Sequence, residues 1–244
     1  MTADQVTEID RPRLSKAAVV ERGLALGDAE GLEAVTIRRL AAELGVTPMA
    51  LYWHFRNKDE LLTGLADAVW AELDLRLDPR DDWPVQLRGL LESLVGVLRR
   101  HPSASQLLIG SEKRTSDAAM LASETALGVL DRGGFDAEYS AAIVRNALFT
   151  GVMLAMSEPG FEPGRPEAER VERMRQFQVR LALLPPDRFP MLVAAAGPMT
   201  AYDNPDFHYQ LGIDLFIAGV QALSDRVAAA HASGAIGGAT REQP

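Results

Sequence analysis

Apolar residues recur at helical spacing along most of the chain, and no segment predicts a convincing β-strand. The first quarter contains short apolar stripes and then a longer one, which runs from Asn57 to about Leu77. A helix over that longer stripe would be about 30 Å long at ~1.5 Å per residue, enough to link two parts of a molecule. The pattern predicts an all-α protein in which a group of short helices precedes a larger helical region.

Capping residues set the ends of the predicted short helices. Ser15 suits the N-cap of a first helix that runs to about Gly27, and Thr36 and Thr47 suit the N-caps of the second and third. Gly45 follows the second helix, where a C′ glycine commonly closes a helix. These signals place two short helices on either side of a tight turn.

The turn has the spacing of a helix-turn-helix. That motif needs a small residue where its helices cross, a residue that tolerates left-handed geometry in the turn, and an apolar anchor under the second helix. Ala41, Gly45 and Leu51 meet these needs in order, and Pro48 opens the second helix where a missing N–H costs nothing. We therefore predict a three-helix, helix-turn-helix DNA-binding unit.

A polar, Pro-containing break at 78–84 separates this unit from the rest. The expected organisation is a disordered arm over 1–13, a DNA-binding domain over 14–78 that includes the linking helix, a helical effector-binding and dimerisation domain over 79–232, and a flexible tail over 233–244. Further helices are predicted over about 84–100, 103–109, 116–132, 137–156, 167–184 and 205–231.

Two of these helices are unusually apolar. The helix over 137–156 is apolar nearly all round, which predicts a buried central helix. The last helix is apolar on more than one face, and Gly212 and Gly219 share a face that would admit another helix closely. A plain core helix would explain the last helix, but we favour one that is half core and half the interface of a homodimer.

Composition excludes several chemistries. The chain has no Cys, so disulfides, thiolate zinc sites and a Cys nucleophile are ruled out. Its first residues lack the apolar stretch of a signal peptide, and no uninterrupted run of about 18 apolar residues suggests a membrane span. We therefore expect a cytoplasmic protein without a membrane partner.

Charge is distributed unevenly. The net charge of −9 argues against a general nucleic-acid binder. Between residues 11 and 58, however, eight Lys/Arg face five Asp/Glu, which gives +3 and leaves −12 for the remainder. The asymmetry favours a small basic DNA-contacting unit on an acidic body, although chance scatter would also explain it.

Polar and aromatic side chains flank the predicted turn. Thr36, Tyr52, His54 and Lys58 offer hydroxyls, an imidazole and an ammonium that can bind phosphate oxygens. The alternative for Tyr52 and Trp53 is a place in the core. Motifs of the common enzyme classes are absent, and no His has a visible catalytic partner, so no enzymatic activity and no cofactor are expected.

The run from about Leu14 to Asp67, above all LYWHFRNKDELL over 51–62, resembles the DNA-binding domain of the tetracycline-repressor (TetR) family of transcription regulators. The segment FHYQLGIDLFIAGVQAL over 207–223 resembles the dimerising last helix of the tetracycline-repressor branch. The resemblance implies a homodimeric regulator, in the first place a repressor, whose partners are a palindromic double-stranded DNA operator and a small-molecule effector.

The resemblance also implies roles for single residues. Thr36, Tyr52, His54 and Lys58 would contact phosphates, and the base-facing set would include Arg38, Pro48 and Met49. The full DNA-facing set is Thr36, Arg38, Thr47, Pro48, Met49, Ala50, Tyr52, Trp53, His54 and Lys58. The tetracycline repressor has polar groups at the positions of Pro48 and Ala50, so the apolar surface here suggests contacts to thymine methyls and a different operator.

The family's drug-and-magnesium site uses a His and a Glu, whose positions correspond to Leu108 and Met156, while a further drug-contacting His corresponds to Asp74. This comparison removes the metal-chelating chemistry and favours an apolar effector with no metal. Candidate ligand-binding residues, any of which a plain core would also explain, are Trp70, Leu108, Met120, Phe149, Met153, Met156 and Phe177.

Two other functions remain open from sequence. One is a helical ligand-binding or enzymatic bundle whose N-terminal domain mediates protein contacts. The other keeps the DNA-binding domain but makes the protein an activator, or a regulator without a ligand.

Overall fold

The computed structural model describes residues 14–109, 116–157, 166–200 and 204–232. All regular structure in these ranges is helical, as the spacing predicts. The predicted arm over 1–13 and tail over 233–244 lie outside the described residues.

The first four helices form a small unit around a shared core, which we call the head. They are α1 (Lys16–Glu30), α2 (Ile37–Glu43), α3 (Pro48–Tyr52) and α4 (Lys58–Ala71). Ser15, Thr36, Thr47 and Asn57 cap them, and each side chain accepts a hydrogen bond from a backbone N–H three residues on. The head core consists of side chains that are almost fully buried: Val19, Val35, Leu40, Leu51, Phe55, Leu61 and Leu65.

The turn between α2 and α3 closes as predicted. Gly45 has φ = 65°, in the left-handed region. The N–H of Val46 donates to the carbonyl of Ala41 (2.9 Å), and the N–H of Gly45 donates to that of Ala42 (3.2 Å). This pair of bonds is a Schellman motif, which satisfies carbonyls at the end of α2 and aims α3 across it.

Two predicted boundaries in the head are wrong. Helix α1 extends to Glu30 instead of turning from Asp28, because its last turn packs against the body, where Ser103 holds Asp28. Helix α4 ends at Ala71 instead of near Leu77, so it is about 21 Å long at ~1.5 Å per residue.

An extended segment replaces the last turns expected for α4. Leu73, Leu75 and Leu77 pack against the core, while Asp74 and Arg76 between them point outward and pair with each other (2.7 Å). This period of two is typical of extended chain. Hydrogen bonds from the side chain and backbone of Arg76 lower the pKa of Asp74 to about 2, so this carboxylate stays ionised to a lower pH than an ordinary aspartate.

The remaining helices form the body. Their bounds are α5 (Trp83–Arg100), α6 (Ala104–Ile109), α7 (Asp117–Arg132), α8 (Ala137–Met156), α9 (Glu167–Ala182), α10 (Pro190–Ala195) and α11 (Pro205–Ala232), with a 3-10 turn at Pro198–Thr200. Helix α5 lies at the centre and packs against α7, α8 and α11. Its buried side chains include Leu87, Leu90, Leu91, Leu94 and Leu98.

Helix α8 is not buried all round, which corrects the sequence prediction. Ile143 and Val152 face the core, whereas Phe149, Met153 and Met156 remain 45–57 % exposed. Within the described ranges, α8 is the one helix long and apolar enough to cross a membrane by length and composition, a test that core helices of soluble proteins also pass. Here it packs against α5, α7 and α11.

Helix α11 has one face in the core and one in solvent. Ile213 and Ile217 are buried, while Leu211 and Leu215 are exposed. Gly212 permits close approach, because a Cβ there would lie 2.2 Å from Leu154 of α8. The two predicted contact glycines therefore differ, since Gly219 has open space around it and Gly212 is already used within the chain.

We expect opposite stability effects from alanine at two glycines whose added Cβ would meet no atom within 4 Å. Gly45→Ala should destabilise by about 1–2 kcal/mol, the cost of a left-handed non-glycine residue. Gly89→Ala, inside α5, should stabilise by roughly 0.5–1 kcal/mol. Thermal unfolding at one protein concentration checks both, and a midpoint of Gly45→Ala that does not fall would contradict the assigned turn geometry.

Candidate nucleic-acid interface and cavity

Helix α3 is anchored on one side and open on the other. Leu51 is fully buried beneath it, and Phe55 fills the core just after it. Its outer side presents Met49, Tyr52 and Trp53, which are 67 %, 46 % and 85 % exposed. A large apolar and aromatic patch that the fold leaves uncovered marks an interaction surface.

The structure places every predicted DNA-facing residue at the surface of the head. The exposed ones are Arg38, Thr47, Pro48, Met49, Tyr52 and Trp53, and the half-exposed ones are Thr36, Ala50, His54 and Lys58. The core alternative for Tyr52 and Trp53 is therefore wrong. Their contacts to DNA stay a prediction.

Adjacent arginines on α2 have different surroundings. Arg39 pairs with Glu30 (2.8 Å) and Glu43 (2.7 Å). The hydrogen bond from Arg39 is the main cause that lowers the pKa of Glu43, with Arg22 adding to it. The guanidinium of Arg38 is exposed and makes no hydrogen bond or ion pair with the described residues. It remains available to an external acceptor.

Lys58 stands at the first position of α4 beside this surface. Its ammonium lies 3.8 Å from the fully exposed carboxylate of Glu33, a contact that solvent weakens. The Asn57 side chain accepts from the N–H of Glu60 (2.8 Å), whose carboxylate accepts from the N–H of Arg56 (2.7 Å). This reciprocal cap fixes the start of α4 relative to α3.

The body contains an apolar cavity of about 400 Å³ between α7 and α8, above α5 and the end of α4. It opens to solvent where Ser123, Ala141 and Arg145 are exposed. Its described lining is Trp70, Leu73, Leu75, Leu87, Leu90, Leu91, Leu94, Ala122, Ser123, Ala126, Leu127, Ala141, Val144, Arg145, Ala147 and Leu148. Such a space suits a small apolar ligand.

The structure places only Trp70 of the predicted ligand-binding residues on this cavity. Leu108 is buried in α6, away from the lining. The others are exposed: Met120, Phe149, Met153, Met156 and Phe177. For these six residues a ligand-binding role stays a prediction that this cavity does not support.

Sequence reasoning missed the cavity because its walls resemble an ordinary core. The α5 leucines have the spacing of one buried helix face, and only the packing of α4, α5, α7 and α8 in three dimensions leaves space beside them. The sequence prediction favours Met and Phe as pocket residues, but the Met and Phe side chains of α8 lie on its exposed face. The useful signal is Arg145, the one cation in the largely apolar segment over 137–156.

A polar cluster joins head to body, and we call it the junction. Asp28 of α1 accepts from the N–H (3.0 Å) and hydroxyl (2.7 Å) of Ser103, and its second oxygen meets Nδ1 of His101 (3.0 Å). Nε2 of His101 lies 3.0 Å from Glu72, which also accepts from Arg100 (3.0 Å). His101, the C-cap residue of α5, thus links α1 to the end of α4.

Comparison with known families settles the class of protein. The model of bacterial regulatory proteins of the tetR family matches residues 19–65, and that of the tetracyclin repressor-like C-terminal domain matches residues 76–224. The chain belongs to the TetR family. It is a transcriptional regulator with a helix-turn-helix DNA-binding domain, and the alternative of an enzymatic bundle is wrong.

Individual relatives cover most of this TetR-family chain. It is 30 % identical to the class C tetracycline repressor protein of Escherichia coli, over 86 % of this chain and 92 % of the relative. It is 28 % identical to the transcriptional repressor DrrR1 of Streptomyces coeruleorubidus, over 87 % of this chain and 79 % of the relative. The structure of Streptomyces coelicolor ActR in complex with actinorhodin is similar to this one, with a TM-score of 0.72 and 29 % sequence identity. The match covers 86 % of this chain and 98 % of ActR.

Removing the exposed indole should weaken DNA binding without unfolding the protein. We expect Trp53→Ala to lower affinity for a labelled duplex at low salt about tenfold, because the apolar contact of the indole with the groove is lost. Its thermal midpoint should not change, since the side chain is 85 % exposed. Fluorescence anisotropy measures the affinity.

The matched control is Leu183→Ala, a 78 % exposed apolar side chain in the body. It should retain wild-type affinity. Equal DNA binding by the Trp53 variant and the wild type would show that the outer face of α3 does not contact the duplex.

Proposed function

We propose that this TetR-family regulator is a ligand-responsive repressor that binds a palindromic operator as a homodimer and is released by a small, mostly apolar effector. The observation that carries the proposal is the junction, which connects an exposed DNA-facing surface to an apolar cavity. As a DNA-binding protein it would act in the cytoplasm.

The DNA-facing surface combines two kinds of contact. Thr36, Tyr52, His54 and Lys58 would hold phosphates on the two sides of α3. Between them, Pro48, Met49 and Ala50 offer apolar surface for thymine methyls, with Thr47 and Trp53 at the edges. The free guanidinium of Arg38 suits a guanine, which accepts two hydrogen bonds from one arginine.

A second apolar surface supports the homodimer. The outer sides of α8 and α11 are adjacent, since Gly212 lies against Leu154. Together they expose large apolar side chains: Phe149, Met153, Met156, Phe207, Leu211 and Leu215. Pairing this surface with its copy would bury it and form a four-helix contact. Each head alone makes few contacts, so joining two heads raises affinity for a paired site.

The cavity supports an apolar effector that needs no metal. None of its described lining residues has a carboxylate or imidazole. The positions that correspond to the chelating His and Glu of tetracycline repressors, Leu108 and Met156, are not in its lining, and neither is Asp74 at the position of a further drug-contacting His. ActR, which is similar in structure, has been solved in complex with actinorhodin.

The cavity can influence the head through the end of α4. Trp70 and Leu73 line the cavity, and Glu72 between them belongs to the junction. An effector that displaces these two side chains would therefore shift Glu72, His101 and the attached end of α1. The shift lowers DNA affinity only if the effector binds the two arrangements with different affinities.

Selection from a random duplex pool tests the DNA specificity. We expect the full chain to enrich an inverted repeat whose half-site centres lie about 34 Å apart, one helical turn, because two α3 helices enter successive major grooves. Sequencing the bound fraction identifies the repeat. Enrichment of a single unpaired half-site, or of no sequence, would contradict the palindromic operator.

Charge on the apolar α8–α11 surface should separate the protomers. Leu215→Glu places a carboxylate on a 67 % exposed position, so each chain folds, but dimerisation would bury that charge in both copies. We expect the dimer dissociation constant to rise about a hundredfold in sedimentation equilibrium. The control is Val85→Glu, 54 % exposed on α5, which should leave the dimer intact. A monomeric wild type, or an unaffected Leu215 variant, would rule out this interface.

A further inference from the structure

Arg145 carries the only charge among the described residues that line the cavity. It lies at the cavity mouth on α8, beside Ala141 and Leu148, and its side chain is exposed. The hydroxyl of Ser123 across the mouth donates to the carbonyl of Ala119 (2.9 Å), so its oxygen has lone pairs left to accept. The mouth therefore offers one cationic donor above an apolar interior.

The guanidinium of Arg145 makes no ion pair or hydrogen bond with any part of the chain that the structure describes. Its neighbours one helical turn away are Ala141, Ala142, Leu148 and Phe149, none of which is acidic. Other arginines of the acidic body do have carboxylate partners: Arg88 with Asp214, Arg99 with Asp206 and Arg100 with Glu72.

We propose that the effector is an amphipathic acid, whose apolar part fills the cavity and whose carboxylate or similar anionic group pairs with Arg145. The inference rests on the proposed function of the cavity. Arginine binds a carboxylate through two parallel hydrogen bonds. Apolar walls on one side reduce screening by water, which strengthens the attraction.

A depression next to the cavity is lined by acidic residues and favours a ligand of the opposite charge. Glu124, Asp131 and Asp136 line it, and it shares Leu127 and Ala141 with the cavity. These carboxylates would attract a cation. Asp136 caps α8 and lies more than two helical turns before Arg145, whereas Glu124 of α7 is adjacent to Ser123 at the mouth. Ligands of opposite charge therefore distinguish binding at Arg145 from binding at Glu124.

Three ligands of one shape test the proposal: 2-naphthoate, neutral 2-naphthamide and cationic 2-naphthylmethylammonium. Isothermal titration measures their affinity for the full chain, and anisotropy measures release of the duplex that selection enriches. We expect the acid to bind at least tenfold more tightly than the other two. Arg145→Gln should lower the affinity for the acid to that for the amide, and Arg145→Lys should keep part of the preference for the acid.

Arg180→Gln, an exposed arginine of α9 outside the cavity, is the matched control and should change nothing. Three outcomes would overturn only the assignment of the ligand as an acid: equal affinities for the three ligands, tightest binding of the amine, or a preference for the acid that survives Arg145→Gln. Binding of none of the three would overturn both the ligand class and the effector cavity. An Arg145-dependent preference for the acid without DNA release would leave the ligand class standing and overturn the ligand-responsive function.

Discussion

The contact of His101 with Asp28 and Glu72 is the interaction on which the proposed regulation depends. Asp28 belongs to the head, Glu72 ends the helix that leaves the head, and His101 ends the central helix of the body. One imidazole thus holds two helices of the head against a single point of the body. In a dimer, the angle set at this point determines the distance between the two α3 helices.

The surfaces that the fold leaves uncovered explain most of the function. A TetR-family chain of this size can bury its large apolar residues, as α5 shows. Yet Trp53 at the end of α3 and Leu215 on α11 remain in solvent. Each belongs to a different exposed surface, one proposed to face DNA and the other proposed to face a second protomer. The cavity is a third unfilled apolar surface, turned inward.

Local signals predicted the head well. Thr36, Gly45 and Thr47 determine helix ends through hydrogen bonds within a few residues, and such bonds depend on sequence alone. The predicted end of α4 is wrong because Leu73, Leu75 and Leu77 fit both the spacing of a helical stripe and the alternation of an extended chain. Packing against α5 and the bond from the N–H of Asp74 to Ser93 (2.7 Å) select the extended form.

The effector site could not be predicted in the same way. Periodicity shows that a helix face is apolar, but a core, a subunit interface and a cavity wall all need apolar faces. On α8, Val144 lines the cavity, Val152 is buried in the core and Met153 is exposed, with no difference in residue type that distinguishes these roles. Only the relative positions of α5, α7 and α8 separate them.

The central claim is that occupation of the cavity changes DNA binding through the junction, and filling the cavity from within tests it most directly. Ala126 lines the cavity and is far in sequence from the head, so Ala126→Trp can mimic a bound effector. The measurement is the affinity of the folded variant for the selected duplex, beside the wild type and Ala182→Trp, a control at an exposed position of α9 outside the cavity and the proposed dimer surface. We predict weaker binding, about tenfold, for Ala126→Trp alone, and unchanged affinity in a folded variant would contradict the account.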